Sequence, residues 1–171
     1  VIEACEKIKA QLEATGVRVI FDNTDNSPGW KFNEWEMKGV PVRIEVGPRD
    51  LEAGKVILFR RDTLEKVDCT LDGVTRIVNE LLKRIQKDML ESARVRRDER
   101  IVKASDLDGI LNAVEKGNFV KTGWCGCREC EDKIKETTAA SARVMLDELE
   151  DETCAVCGKK AKHSVYFARA Y

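Results

Sequence analysis

Residues 27–61 read SPGWKFNEWEMKGVPVRIEVGPRDLEAGKVILFRR, and the succession of patterns in this stretch decides the fold. Ser27 before Pro28 is an N-cap with proline at the first helical position. The spacing predicts a short helix from Trp30 to Lys38, stopped at Gly39. Val42, Ile44 and Val46 then alternate with Arg43 and Glu45, the period of a half-buried strand over 41–46. GPRD is a turn, DLEAG a short helical turn, and KVILFRR (55–61) a buried strand. The sequence predicts an α/β fold with a small mixed sheet and flanking helices.

The pattern continues on both sides. In VIEACEKIKAQLEATG, Ile2, Cys5, Ile8 and Leu12 recur every three or four positions and predict an amphipathic helix. Gly16 stops it, and VRVIFD (17–22) reads as a strand. EKVDCTL (65–71) is a weaker edge strand. From Val74 a long helix carries Ile77, Val78, Leu81, Leu82, Ile85 and Met89 on one stripe and runs to about residue 97. Its end holds Arg94, Arg96, Arg97 and Arg100, a basic run suited to a solvated helix end or to a phosphate contact. Ser105 starts a further helix that ends at Gly117. NFVKTGW then reads as a strand, and HSVYFARAY as the last one. These signals divide the chain into a first α/β domain (1–72), a long connecting helix (73–100) and a smaller C-terminal α/β domain (101–171).

The 171 residues include 30 Lys+Arg and 31 Asp+Glu, a formal net charge of −1. That balance excludes bulk phosphate attraction as the main mode of action, but not a few placed contacts to nucleic acid. With 43% hydrophobic residues the chain can bury a core. No segment approaches the roughly 18 apolar residues of a membrane span. The first residues lack the apolar run of a signal peptide. Position 1 is Val, so the expectation is that sequence on the N-terminal side has been cut away.

Seven cysteines accompany one histidine. An odd count without a secretory segment predicts a reducing, cytoplasmic setting and a metal site, not a disulfide framework. Cys5 and Cys69 stand alone and read as small buried hydrophobes. The other five form WCGCRECE and, after a gap, CAVCGK. Cys154 and Cys157 make a C-x2-C knuckle before Gly158. Their partners come from Cys125, Cys127 and Cys130, and spacing alone does not choose between Cys125–Cys130 and Cys127–Cys130. Either choice closes a four-cysteine structural zinc site with no open position for catalysis. The lone His163 reads as a strand residue, not a ligand. A thiol-redox role for CAVCG is a weaker alternative, because the motif follows DELEDE and precedes KKAKHS instead of joining a strand to a helix.

The central stretch also carries recognition chemistry. Phe32 and Glu36 share a helix face, while Trp30, Glu34 and Met37 fall on other sides. Arg43 projects from the polar face of a strand, and Arg49 and Asp50 sit in the turn after it. One aromatic, two carboxylates and two guanidinium groups suit an unpaired guanine. Its N1–H and N2–H2 donate to a carboxylate, its O6 and N7 accept from arginine, and its face stacks on a ring. On residue types alone, the simpler alternative is that Phe32 and Trp35 are core and the charges are surface ion pairs.

PGWKFNEWEMKGVPVRIEVGPRDLEAGKV, WCG with REC, CAVCGK and the terminal FARAY together resemble the C-terminal half of the prolyl-tRNA synthetase family, of its archaeal/eukaryotic-like type. The resemblance runs essentially the whole length. It implies an anticodon-binding α/β domain, a linking helix and a zinc-binding C-terminal domain. It implies that Phe32, Glu36, Arg43, Arg49 and Asp50 read the two guanines of proline anticodons, which reverses the simpler alternative. It selects Cys125, Cys130, Cys154 and Cys157 as zinc ligands and leaves Cys127 an extra thiol. It matches Tyr171 to a C-terminal tail directed toward the catalytic domain. The implied parent is a class II proline–tRNA ligase that uses ATP and Mg2+, forms a homodimer and binds tRNA(Pro). None of the class II catalytic motifs is present in these residues, so the fragment alone is expected to be inactive. A free-standing zinc adaptor with protein partners is the competing expectation.

Overall fold

A computed structural model describes residues 1–170; Tyr171, with its expected tail role, lies outside the described residues. The chain divides into two compact units, one spanning Val1–Glu91 and the other beginning at Ser92.

In the first unit, α1 (Ile2–Glu13) buries Ile8 and Leu12, as its apolar spacing requires. Helix α2 (Pro28–Met37) is capped by Ser27, whose side chain accepts from the Trp30 N–H. Strand β1 (Val42–Glu45), the short helix α3 (Pro48–Glu52), β2 (Lys55–Arg60) and β3 (Lys66–Thr70) follow. The three strands pair antiparallel in the order β1-β2-β3. Helix α4 (Val74–Asp98) comes next. The core joins Ile8 and Leu12 to Val56 and Leu58 of β2, Cys69 of β3 and Val74 and Val78 of α4. Cys69 is therefore a core residue, while Cys5 is half-buried.

One expected strand is absent. VRVIFD keeps its alternation, with Val17 and Val19 packed on this core and Arg18 and Ile20 exposed. Yet residues 17–22 belong to no sheet. Side-chain alternation needs only one buried face. A strand also needs a neighbouring backbone to exchange hydrogen bonds with, and among the described residues β1 ladders with β2 alone.

The second unit holds β4 (Ile101–Lys103), α5 (Leu107–Glu115), β5 (Phe119–Trp124), α6 (Arg128–Thr138), β6 (Ala140–Met145) and β7 (His163–Arg169). The sheet order is β4-β5-β7-β6, with β4 and β5 parallel and the other pairs antiparallel. Asp106, one residue later than the expected Ser105, caps α5 by accepting from the Gly109 N–H at 2.7 Å. Ile110, Val114, Val120, Ile134, Val165 and Phe167 form the core between helices and sheet. Strand β4 is three residues long, α6 is rich in charge and β6 is mostly exposed, so none of them stands out in the apolar pattern.

Candidate functional sites

The first site sits where Phe32 and Glu36 of α2 meet Arg43 of β1. Arg43 and Phe59 are directly opposite in the β1–β2 ladder. The Arg43 guanidinium carbon lies 3.8 Å from the Phe32 ring centroid and 4.0 Å from that of Phe59. One cation thus contacts two aromatic rings, an arrangement that holds a planar guanidinium in a fixed orientation. Its Nε and Nη2 donate to Glu45 Oε1 at 3.1 and 2.9 Å, and its Nη1 donates to Glu36 Oε1. Glu45 Oε2 accepts from Lys66 at 2.9 Å. Burial pushes the Glu45 carboxyl up, but Lys66 and Arg43 outweigh it and hold the group below its ordinary value.

Of the five residues expected here, the structure brings Phe32, Glu36 and Arg43 into contact. Arg49 and Asp50 lie on α3, with Arg49 exposed and Asp50 half-buried. Among the described residues no hydrogen bond or ion pair joins them to the other three. Gly47, the residue before α3, makes room for Asp50: a Cβ there would stand 2.9 Å from its carboxylate. The sequence reading missed Phe59, Glu45 and Lys66. Glu45 carried a usable signal, since it is two residues from Arg43 and shares its strand face. Phe59 and Lys66 are set by strand register, which only pairing reveals.

The second site is a thiol cluster. The Sγ atoms of Cys125, Cys130, Cys154 and Cys157 all lie within 4.8 Å of one another and could hold a metal ion. Cys125 is 3.6 Å from Cys130 and 3.7 Å from Cys157. Cys125 follows β5, Cys130 lies in the first turn of α6, and the last two form a knuckle. In that knuckle the Gly158 N–H donates to the Cys154 carbonyl at 2.9 Å and the Cys154 N–H to the Lys159 carbonyl at 2.8 Å. Gly158 has φ 69° and Gly126 φ 83°, left-handed turns that glycine adopts without strain. Burial raises the Cys154 thiol, but backbone N–H groups of the knuckle and of Cys125 bring it down to about 7. Burial raises the Cys130 thiol. Cys127 is exposed and outside the group; its carbonyl accepts from Trp124 Nε1 at 3.0 Å. His163 stacks at a tilt against Trp124, 5.8 Å between ring centroids, and is no member of the cluster.

The expected basic run lies at the exposed end of α4 and beyond, and Arg97 pairs with Asp98 at 2.6 Å. No helix is long and apolar enough to cross a membrane among the described residues.

Fold and sites together define two α/β domains, one with an arginine held against two aromatic rings and one with a four-thiol cluster. Residues 1–81 match the family described as "Anticodon binding domain", and residues 107–171 match "Prolyl-tRNA synthetase, C-terminal". The chain belongs to the prolyl-tRNA synthetase family, of which it holds the anticodon-binding and C-terminal domains. Over 174 residues it is 47% identical to a proline–tRNA ligase of Clostridium botulinum (strain Langeland), covering 100% of this chain and 36% of the relative. A proline–tRNA ligase of Lachnospira eligens is 44% identical over the same shares. A crystal structure of prolyl-tRNA synthetase from Cryptosporidium parvum, complexed with L-proline and AMP, superposes with a TM-score of 0.93 at 33% identity. That match covers 99% of this chain and 37% of the other. The chain thus spans little more than a third of the length of the curated relatives it matches.

Proposed function

We propose that residues 1–72 read the two guanines of the proline anticodon, with Phe32, Glu36, Arg43, Arg49 and Asp50 as the contacting residues. The observation that carries this reading is the contact of Phe32, Glu36 and Arg43 on one patch of an anticodon-binding domain. Glu36 uses Oε1 for Arg43 and keeps Oε2 for the N–H donors of a guanine edge. Arg43 is held in plane and presents guanidinium hydrogens toward O6 or N7. Asp50 and Arg49 supply the same two chemistries from α3 for a second base.

We further propose that residues 101–171 bind a structural zinc through Cys125, Cys130, Cys154 and Cys157. A tetrahedron with Zn–S bonds of about 2.3 Å has S···S edges of about 3.8 Å, close to the 3.6 and 3.7 Å separations. Zinc would cross-link β5, α6 and the knuckle, and four thiolates leave no place for a reactive water. Helix residues 73–100 then connect the two domains. The whole protein would be a homodimeric, cytoplasmic proline–tRNA ligase whose separate catalytic domain uses ATP and Mg2+ to activate proline.

The test is binding of proline tRNA. Arg43→Ala and Asp50→Ala should each weaken it by about 1–3 kcal/mol and relax discrimination at one anticodon guanine. Equal loss for every tRNA would reduce the site to a phosphate contact and defeat the reading.

A further inference from the structure

Helix α2 has a second side that the Arg43 contacts leave open. Trp30, Glu34 and Lys38 recur every four residues on a stripe away from Phe32 and Glu36. Beside that stripe lies a groove of about 220 Å³, lined among others by Phe21, Asp22, Asn26, Trp30, Trp35 and Lys38. Trp30 is 52% exposed, so about half of a large aromatic residue borders solvent.

The groove wall is built, not incidental. Asp22 Oδ1 accepts from the Thr24 N–H at 3.1 Å and its hydroxyl at 2.6 Å, and Oδ2 accepts from Trp35 Nε1 at 2.7 Å. Lys31 donates to the Asp22 carbonyl at 3.2 Å, and its ammonium stands 3.7 Å from the carboxylate. The hydrogen bonds from Thr24 and Trp35 hold the Asp22 carboxyl at about 2, so it is ionised throughout the working range. Lys38 lies 4.5 Å from the Trp35 ring centroid and pairs with Glu34 at 2.6 Å. The two carboxylates cancel the two ammonium groups, which removes any net attraction for phosphate. What remains is an exposed indole face bordered by acceptor oxygens. That combination suits a flat, neutral ring carrying N–H donors.

We propose that this groove is a second nucleobase subsite, in which Trp30 stacks an unpaired base carrying an amino group. The base comes from the same RNA loop whose guanines meet Arg43, so the inference rests on that reading. Continuity supports it. Between the Phe32–Glu36 side and the Trp30 side lies the stripe of Asn33 and Met37, and Met37 is 79% exposed. An α-helix with its side chains is only about 10–12 Å across, so an RNA strand crossing that open stripe reaches the groove with a nucleotide adjoining the guanines.

The experiment uses the 171-residue chain and the anticodon stem–loop RNA of proline tRNA, with single abasic sites placed in turn at the loop positions flanking the guanines. For the unaltered protein, one abasic position should lower affinity about tenfold, the scale of one base–aromatic stack. Trp30→Ala should lower affinity by the same factor and become insensitive to that abasic site, while its preference for guanine over adenine at the anticodon is unchanged. Trp30→Phe, which keeps a stacking ring, should recover most of the binding. The subsite is overturned if Trp30→Ala binds as the parent does, if its loss and the abasic loss multiply at every position, or if Trp30→Phe is as weak as Trp30→Ala. In those cases a persisting guanine preference leaves the Arg43 reading intact. If replacing the guanines changes nothing in the unaltered protein, or if no RNA binds, the Arg43 reading fails and this subsite fails with it.

Discussion

Arg43 and Phe59 face each other across the β1–β2 ladder, with the guanidinium carbon 4.0 Å from the ring centroid. The Phe32 ring centroid lies 3.8 Å from the same guanidinium carbon. A side chain with several rotatable bonds is thereby held in one orientation by the fold itself, which would lower the ordering cost if Arg43 contacts a base as proposed.

Phe59→Leu tests this preorganisation, because it keeps apolar volume and removes the ring. A cation–π contact is worth about 0.5–2 kcal/mol. Phe59 is 8% exposed and its contact with Arg43 is part of the fold itself, so the variant should melt lower. At a temperature where both proteins are folded, its affinity for an RNA with the guanine pair should fall severalfold. Isothermal titration and a thermal melt on the same sample check both halves.

The β2–β3 hairpin depends on a buried cation. Arg60 is 3% exposed and donates to Asp62 at 2.6 and 3.1 Å and to Asp88 of α4 at 3.0 Å. The guanidinium holds the Asp62 carboxyl below its ordinary value. That group stabilises the fold fully above the unfolded carboxylate pKa of about 3.9, and the contribution is lost as pH falls through the lower folded value. Asp62→Asn should cost about 1–3 kcal/mol at pH 7 and flatten the loss of stability below about pH 4. Urea denaturation at several pH values reads both effects.

The thiol cluster predicts an asymmetric response to cysteine replacement. Cys154→Ser should release the metal and unfold the second unit while the first keeps its transition. Cys127→Ser should retain the metal, because that thiol is exposed and outside the cluster. Metal analysis with circular dichroism distinguishes the two variants.

The segment entering the knuckle is fastened to the sheet. Lys121 pairs with Glu150, and the Ser164 hydroxyl accepts from the N–H groups of Glu150 and Asp151 at 2.9 and 3.2 Å. It also donates to the Asp151 carboxylate at 2.7 Å. At Gly123 a Cβ would stand 2.2 Å from the Thr153 carbonyl oxygen. Gly123→Ala should therefore displace the loop segment leading to Cys154, cost about 1–3 kcal/mol and speed metal release to a chelator. Lys121→Met should speed release without that steric shift.

Local pattern alone determined much of this protein. Ser27-Pro28 sets the start of α2, the alternation of 42–46 sets β1, the stripe from Val74 sets α4, and CAVCGK sets a knuckle, because each depends only on near neighbours in the chain. Family resemblance chose among the cysteines, and the tertiary structure gathers the same four. The fold alone decided the rest. VRVIFD alternates like a strand but has no sheet partner. Phe59 and Lys66 join the Arg43 site only through strand register, and Cys125 meets Cys157 only because β5 and the knuckle are neighbours in the folded unit. Contacts between residues far apart in sequence are set by pairing and packing, and single-strand periodicity carries no record of which partner a segment will find.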